Sequence, residues 1–301
     1  AVTIVTPNHV HFAVARAFLQ AGIHVICDKP MTLTSEQGEE LVRLAKDKNC
    51  ILAVTYNYSG YPMVRQARAM IRAGDLGRIR VVQAEYAQDW LSEDLEASGQ
   101  KQASWRTDPA QSGAGGCVGD IGTHANHLAC FVSGLKVDSL CAELTAFVDG
   151  RRLDDNAQVM LRFDNGARGM LWASQVATGN ENNFQLRIYG DKGGLSWRQE
   201  EPNTLLFSPL GKPQQRITRG GPDSGEDAAR VTRIPAGHPE GYLEGFATIY
   251  SEIAEAVLAA RDGRAPDDQV LFPNGEDGVS GVRFVEAAVR SSTAGATWVR
   301  L

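Results

Sequence analysis

The chain contains no apolar run near the ~20 residues that a membrane-spanning helix requires, and none of its charge is gathered into blocks. Its 30 Lys and Arg residues are scattered among 36 Asp and Glu, for a net charge of −6. That balance excludes a basic nucleic-acid surface and a polybasic membrane anchor as the basis of function. Cysteine is scarce. Cys27, Cys50, Cys117, Cys130 and Cys141 are odd in number and form no CxxC pair, which argues against a disulfide framework and for reduced thiols in the cytoplasm. Ala1 to Thr6 is a strand-like run with no basic n-region, so no signal peptide is visible. Tandem repeats are missing, and so is a strand-GxGxxG-helix unit that would hold a pyrophosphate. The nearest glycine cluster has Val118 in place of the third glycine and follows a polar loop.

What is present is an ordinary globular composition, 43% hydrophobic and 22% charged. At 301 residues the chain exceeds the ~250 that one core commonly serves, so two domains are expected, over 1–62 and 63–301. Ala1 to Thr6, Ile23 to Cys27 and Ile51 to Tyr56 are continuous apolar runs, as expected of strands buried on both faces. Helical patterns separate them, one through Phe12, Ala15 and Leu19 and one opened by the Thr34 and Gln37 capping pair. A β-α-β-α-β order predicts parallel strands with right-handed crossovers and ligands beyond the C-terminal strand ends. Thr6-Pro7-Asn8, Asp28-Lys29-Pro30 and Asn57-Tyr58 fall there. A chain opening on a buried parallel strand lacks neighbours for it, so an N-terminal segment is expected in the native protein.

From Arg78 the pattern changes. Strand-like runs at 79–86, 137–148, 157–163, 167–176, 184–189, 195–199 and 204–208, with a hairpin signal at Asp164-Asn165-Gly166, predict an open, mainly antiparallel sheet covered by helices on one face. The fold class expected is thus an α/β Rossmann-type parallel sheet, incomplete at its front, followed by an α+β domain. Pro209 to Pro239 reads as a long surface loop. Helices over about 242–261 and 278–291 and a short strand at 298–301 finish the chain.

The glycine-rich stretch from Gly113 runs into Asp120 and then into a helix ending at Gly134, with Asp120 near its N-cap. Asp120 and His124 are four apart and share a helix face, where the carboxylate can hold the imidazole or meet the same ligand. A metal on Asp120, His124 and His127 is not expected, because no HExxH or cysteine pair supports it.

Taken in order, Thr6-Pro7-Asn8 with His11, Asp28-Lys29-Pro30, Trp105-Arg106, Gly119 to His124, and Ser291-Ser292 with Trp298 resemble the Gfo/Idh/MocA family of nicotinamide-dependent sugar and inositol dehydrogenases. The resemblance implies that about the first half of the Rossmann domain is missing here, including the phosphate-binding turn and the residue that selects NAD or NADP; NAD is slightly favoured. It places Lys29 beside the nicotinamide and the reacting hydroxyl, with Pro30 fixing the backbone. Asp28 stands where glutamate is usual, and Tyr58 where many relatives carry arginine. Thr6, Asn8, His11, Asp28, Pro30 and Asn57 fall on the cofactor side, and Trp105-Arg106 sits in a loop reaching across to the cofactor. Lys29, Tyr58, Asp120, Thr123 and His124 would meet the substrate. Gln88, Trp90, Asn180, Asn182 and His238 lie on loops near the pocket and are expected to be plain loop residues.

The activity implied is hydride transfer between a secondary hydroxyl of a sugar, inositol or related polyol and NAD or NADP. It needs a base for the hydroxyl proton and a group that stabilises the oxyanion. His124 is expected to accept the proton, Lys29 to polarise the oxygen, and Asp120 to fix a neighbouring hydroxyl or orient His124. A homo-oligomer, dimer or tetramer, is expected by the same resemblance. Within this fold the alternatives are a non-catalytic sensor of dinucleotide and sugar, and a nicotinamide-dependent glycosidase.

Overall fold

The structure is a computed structural model that describes residues 1–301. Its front part is a parallel sheet of β1 (Val2–Ile4), β2 (Val25–Cys27) and β3 (Leu52–Val54), in that order, connected by α1 (Asn8–Gln20) and α2 (Ser35–Asp47). β2 and β3 are buried at every residue, which is why they read as unbroken apolar runs. Thr34 caps α2, accepting from the Gln37 backbone N–H at 3.4 Å, while the Gln37 side chain accepts from Leu33 N at 3.3 Å.

A 3-10 turn at Asn57–Gly60 leads into α3 (Pro62–Ala73), which Gly74 ends at φ 84°. Next come β4 (Ile79–Ala87), the short helices α4 (Lys101–Arg106) and α5 (Pro109–Ser112), and α6 (Thr123–Ser133). The strands β5 (Val137–Thr145), β6 (Asn156–Phe163), β7 (Arg168–Ser174), β8 (Asn183–Gly190), β9 (Gly193–Arg198), β10 (Thr204–Pro209) and β11 (Gln215–Thr218) follow. After them come α7 (Glu226–Val231), α8 (Tyr242–Arg261), α9 (Gly275–Thr293) and β12 (Val299–Arg300). The second sheet has nine strands in the order β11-β10-β9-β8-β4-β7-β6-β5-β12. Every neighbouring pair is antiparallel except β4 with β7. The expected layer plan is therefore the observed one.

β6 alternates buried and exposed residues because one sheet face packs on helices and the other is open. Val159, Leu161 and Phe163 join Leu128 and Val132 of α6 in the larger core. A smaller core surrounds β1 to β3. α9 links the two, giving Val279 to the smaller and Phe284 to the larger. Ile249 and Ile253 of α8 pack on Ile26 and Ala53, on the parallel sheet. A bidentate pair of buried Arg65 with Glu252, at 3.0 and 2.8 Å, locks α3 to α8.

The segment expected as a long loop contains two elements. β11 pairs with β10, and α7 buries Ala228 and Val231. Neither is long enough to show a period, since β11 buries Ile217 alone. The remainder is organised by Arg219, 2% exposed, which donates to Asn203 Oδ1 at 2.7 Å and Ile234 O at 2.7 Å and pairs with Glu240 at 3.3 Å. Trp105-Arg106 likewise closes α4, where a loop was expected.

Candidate active site

β2 and β3 deliver their C-terminal ends to one cleft of about 500 Å³, and the end of β1 stands beside them. The ends are tied together. Asp28 N donates to Ile4 O at 2.9 Å and Thr55 N to Cys27 O at 3.0 Å. Asp28 Oδ1 accepts from Thr55 Oγ1 at 2.6 Å and from Lys29 N at 2.8 Å. The Lys29-Pro30 bond is cis. His11, fully buried, bridges Thr6 O at 2.8 Å and Pro30 O at 3.0 Å, clamping the loop after β1 to the Lys-Pro turn. Asn8 donates to Ser112 O at 2.9 Å, fastening the same loop to α5.

The helical stretch from Cys117 does not begin at Asp120. Asp154 receives its start, accepting from Gly116 N at 2.6 Å and Val118 N at 2.8 Å. Gly116 is required by that approach, since a Cβ there would lie 2.1 Å from Asp154 O. Asp120 instead sits in a π-helical turn, Val118–Gly122, continuous with α6. The cap comes from a residue 38 and 36 positions beyond the two N–H groups it receives, which local pattern cannot show. Such widened turns recur at functional sites.

Lys29 Nζ donates to Asp120 Oδ1 at 2.6 Å and to the Asp120 carbonyl at 2.6 Å. Asp120 Oδ2 accepts from Gln175 at 2.8 Å and faces Arg106 Nε at 3.4 Å, while the Arg106 guanidinium lies 4.2 Å from the Trp105 ring centre. Burial alone would raise the Asp120 carboxyl; the Lys29 and Arg106 cations outweigh it and hold the group well below the usual carboxylate range. Its oxygens are thus held by Lys29, Gln175 and Arg106, and no hydrogen bond joins it to His124, so of the two expected roles for the carboxylate, holding the imidazole or meeting the same ligand, the first is not the arrangement seen.

His124 is 7% exposed and its Nδ1 has no hydrogen-bond partner. The rings of Tyr58 and Tyr56 meet it edge-on at 5.0 and 5.6 Å. Burial first, and then the Lys29 ammonium, push its pKa well below the ordinary value, so the ring is neutral at pH 7. His127 points elsewhere, stacking flat on Tyr56 at 4.3 Å. Asp120, His124 and His127 therefore do not converge, and no group of three or more potential metal-ligating His, Cys, Asp or Glu side chains occurs in the chain.

Of the residues singled out from the sequence, Asp28, Lys29, Asn57, Tyr58, Arg106, Asp120 and His124 line the cleft. Thr6, Asn8, His11, Pro30 and Trp105 stand behind or beside it. Thr123 does not reach it, because its hydroxyl donates back to Gly119 O at 3.1 Å. Asn180 and His238 are not part of the lining, whereas Gln88, Trp90 and Asn182 are, against expectation. Tyr86, Gln175 and Tyr242 were not foreseen. The signal lay in topology: the ends of the parallel pair β4 and β7 and the start of β8 meet at one sheet edge, so residues 86–90, 175 and 182 gather there.

Residues 1–56 match the oxidoreductase family with an NAD-binding Rossmann fold, and residues 64–196 match the GFO/IDH/MocA C-terminal domain. The chain is 36% identical over 301 residues to the uncharacterized oxidoreductase YfiI of Bacillus subtilis, covering 99% of this chain and 77% of YfiI. The chain belongs to the GFO/IDH/MocA oxidoreductase family. The resemblance read from its motifs is thereby borne out. A crystal structure of an oxidoreductase from Sinorhizobium meliloti superposes with TM-score 0.88 at 51% identity, over 100% of this chain and 79% of that one. The crystal structure of an inositol dehydrogenase homolog from Azotobacter vinelandii, complexed with NADH and myo-inositol, superposes with TM-score 0.91 at 36% identity, over 99% and 77%.

The cleft fits the nicotinamide end of such a cofactor. It lies beyond the C-terminal strand ends, and Asn57 Nδ2 is buried in it without a partner, a donor that a ribose or carboxamide oxygen would satisfy.

Proposed function

We propose that this oxidoreductase oxidises a secondary hydroxyl of a sugar, inositol or related polyol, reversibly, with NAD or NADP and with NAD slightly favoured. The carrying observation is the convergence of Lys29, Asp120 and a neutral His124 on one cleft at the parallel strand ends. The A. vinelandii relative, complexed with NADH and myo-inositol, supports the substrate class.

Bound nicotinamide supplies the hydride acceptor. The chain's own residues manage the proton and the charge. Lys29 Nζ, anchored by Asp120 at 2.6 Å, is aimed at the substrate oxygen and stabilises the charge that develops there. His124 accepts the hydroxyl proton on an imidazole nitrogen, and its low proton affinity keeps it free to do so at pH 7. Asp120 holds the ammonium in place and offers an oxygen edge to a neighbouring hydroxyl. Asn57 and Asp28 hold the cofactor side, with Thr6, Asn8, His11 and Pro30 shaping the loops beneath it, while Arg106 closes the cleft from the second domain. The test is nicotinamide reduction with a panel of polyols: turnover in the wild type, lost in Lys29→Ala and His124→Ala variants that still bind cofactor.

A homo-oligomer is part of the same reading. The open face of the nine-stranded sheet exposes Met160 at 53% and Met170 at 52%, beside Trp172, an apolar surface suited to a second copy.

A further inference from the structure

Along one wall of the cleft, five side chains form one hydrogen-bonded chain. Trp90 Nε1 donates to Gln88 Oε1 at 3.1 Å, and Gln88 Nε2 donates to Asn182 Oδ1 at 2.8 Å. Tyr86 OH donates to the same Asn182 oxygen at 2.9 Å, and the hydroxyls of Tyr58 and Tyr86 lie 2.5 Å apart. All five line the cleft.

The direction of every bond follows from its first member. An indole N–H can only donate, so the Gln88 oxygen must face Trp90 and its NH₂ must face Asn182. The Asn182 oxygen then faces Gln88, which obliges Tyr86 to spend its single proton on Asn182. Tyr58 must in turn donate to Tyr86. The hydroxyl of Tyr58, whose ring meets His124 in a T-shaped contact at 5.0 Å between ring centres, is left with lone pairs alone to offer. The Asn182 NH₂, engaged by no protein acceptor, is left with its hydrogens.

We propose that Trp90 is a positioning residue that sets this polarity, and that the wall thereby selects substrates whose non-reacting hydroxyl donates to Tyr58 and accepts from Asn182. This rests on the polyol reading above. A deoxy or epimeric substrate would leave the buried Tyr58 hydroxyl and the half-buried Asn182 amide unpaired, an arrangement that gives strong discrimination. Stacking of Tyr86 on Phe184 at 4.6 Å and packing of Tyr58 on Phe184 at 4.8 Å keep the pair from turning to suit another ligand.

Trp90→Phe keeps the ring and removes the N–H. The experiment measures kcat and KM for myo-inositol and scyllo-inositol, an epimeric pair, with cofactor affinity measured alongside. The wild type is expected to prefer one epimer at least tenfold in kcat/KM. In Trp90→Phe that ratio should fall below threefold, mainly through KM, with kcat lowered less than threefold and cofactor affinity kept. Tyr58→Phe should collapse the ratio as well. A ratio that survives in Trp90→Phe overturns the proposal. If neither inositol, nor any other polyol, is turned over by the wild type, the substrate reading fails, and the wall is judged by hydrogen exchange of the Trp90 indole. Protection that Gln88→Leu abolishes supports the relay; exchange as fast as that of Trp298, which is 39% exposed, overturns it.

Discussion

In the proposed reaction His124 and Lys29 divide one task. The ammonium is kept by a carboxylate at 2.6 Å, and the imidazole is kept neutral by burial and by that ammonium. Removing either side chain should lower turnover ~100-fold or more with cofactor affinity kept, as steady-state kinetics and fluorescence titration would show. Because the His124 pKa lies well below 6.5, the competent neutral form persists as pH falls through 6.5. The pH profile of kcat/KM for oxidation should therefore show no acid limb near 6.5; a limb at that pH would contradict a depressed His124. His127 carries the same physics into stability. Burial pushes it down to about 4 from 6.5, so the unfolded chain binds the extra proton. Its contribution is complete above pH 6.5 and is lost as pH falls toward 4, by about 3 kcal/mol. Urea unfolding at pH 7 and pH 4.5 should show a smaller acid-side loss in His127→Leu than in the wild type.

At the scale of elements, the segment between β10 and α8 is held by a buried ion pair rather than by an apolar stripe. Truncating Arg219 to Leu leaves Glu240, also buried, without its cation, and should cost about 3 kcal/mol in chemical denaturation. Glu240→Gln is expected to cost less, since the amide still accepts from Arg219. This also explains what could be read beforehand. Runs such as Val25 to Cys27, and the Gly74 and Gly134 helix stops, advertise their structure locally. Gln175 meets Asp120 only because β7 pairs parallel to β4, and Asp154 caps the Asp120 stretch from across the fold. Long-range partners leave no local period, so Asp120 read as a cap when it is an ion-pair partner. The Asp28-Lys29-Pro30 turn was legible because a strand end, a cation and a proline all lie within three residues.

For the whole molecule, two layers meet at α9 and enclose the cleft between them. The open sheet face predicts self-association. Light scattering should give at least twice the chain mass, and Met160→Glu with Met170→Glu should reduce it to the monomer while the fold persists. The central claim is polyol oxidation through Lys29 and His124. Its most direct test follows reduced-nicotinamide absorbance for the wild type, Lys29→Ala and His124→Ala across sugars, inositols and anhydrosugars, with NAD and with NADP. The expected result is reduction by the wild type with at least one polyol and ~100-fold less in both variants. Tight cofactor binding without reduction by any polyol, or full turnover in either variant, would contradict it.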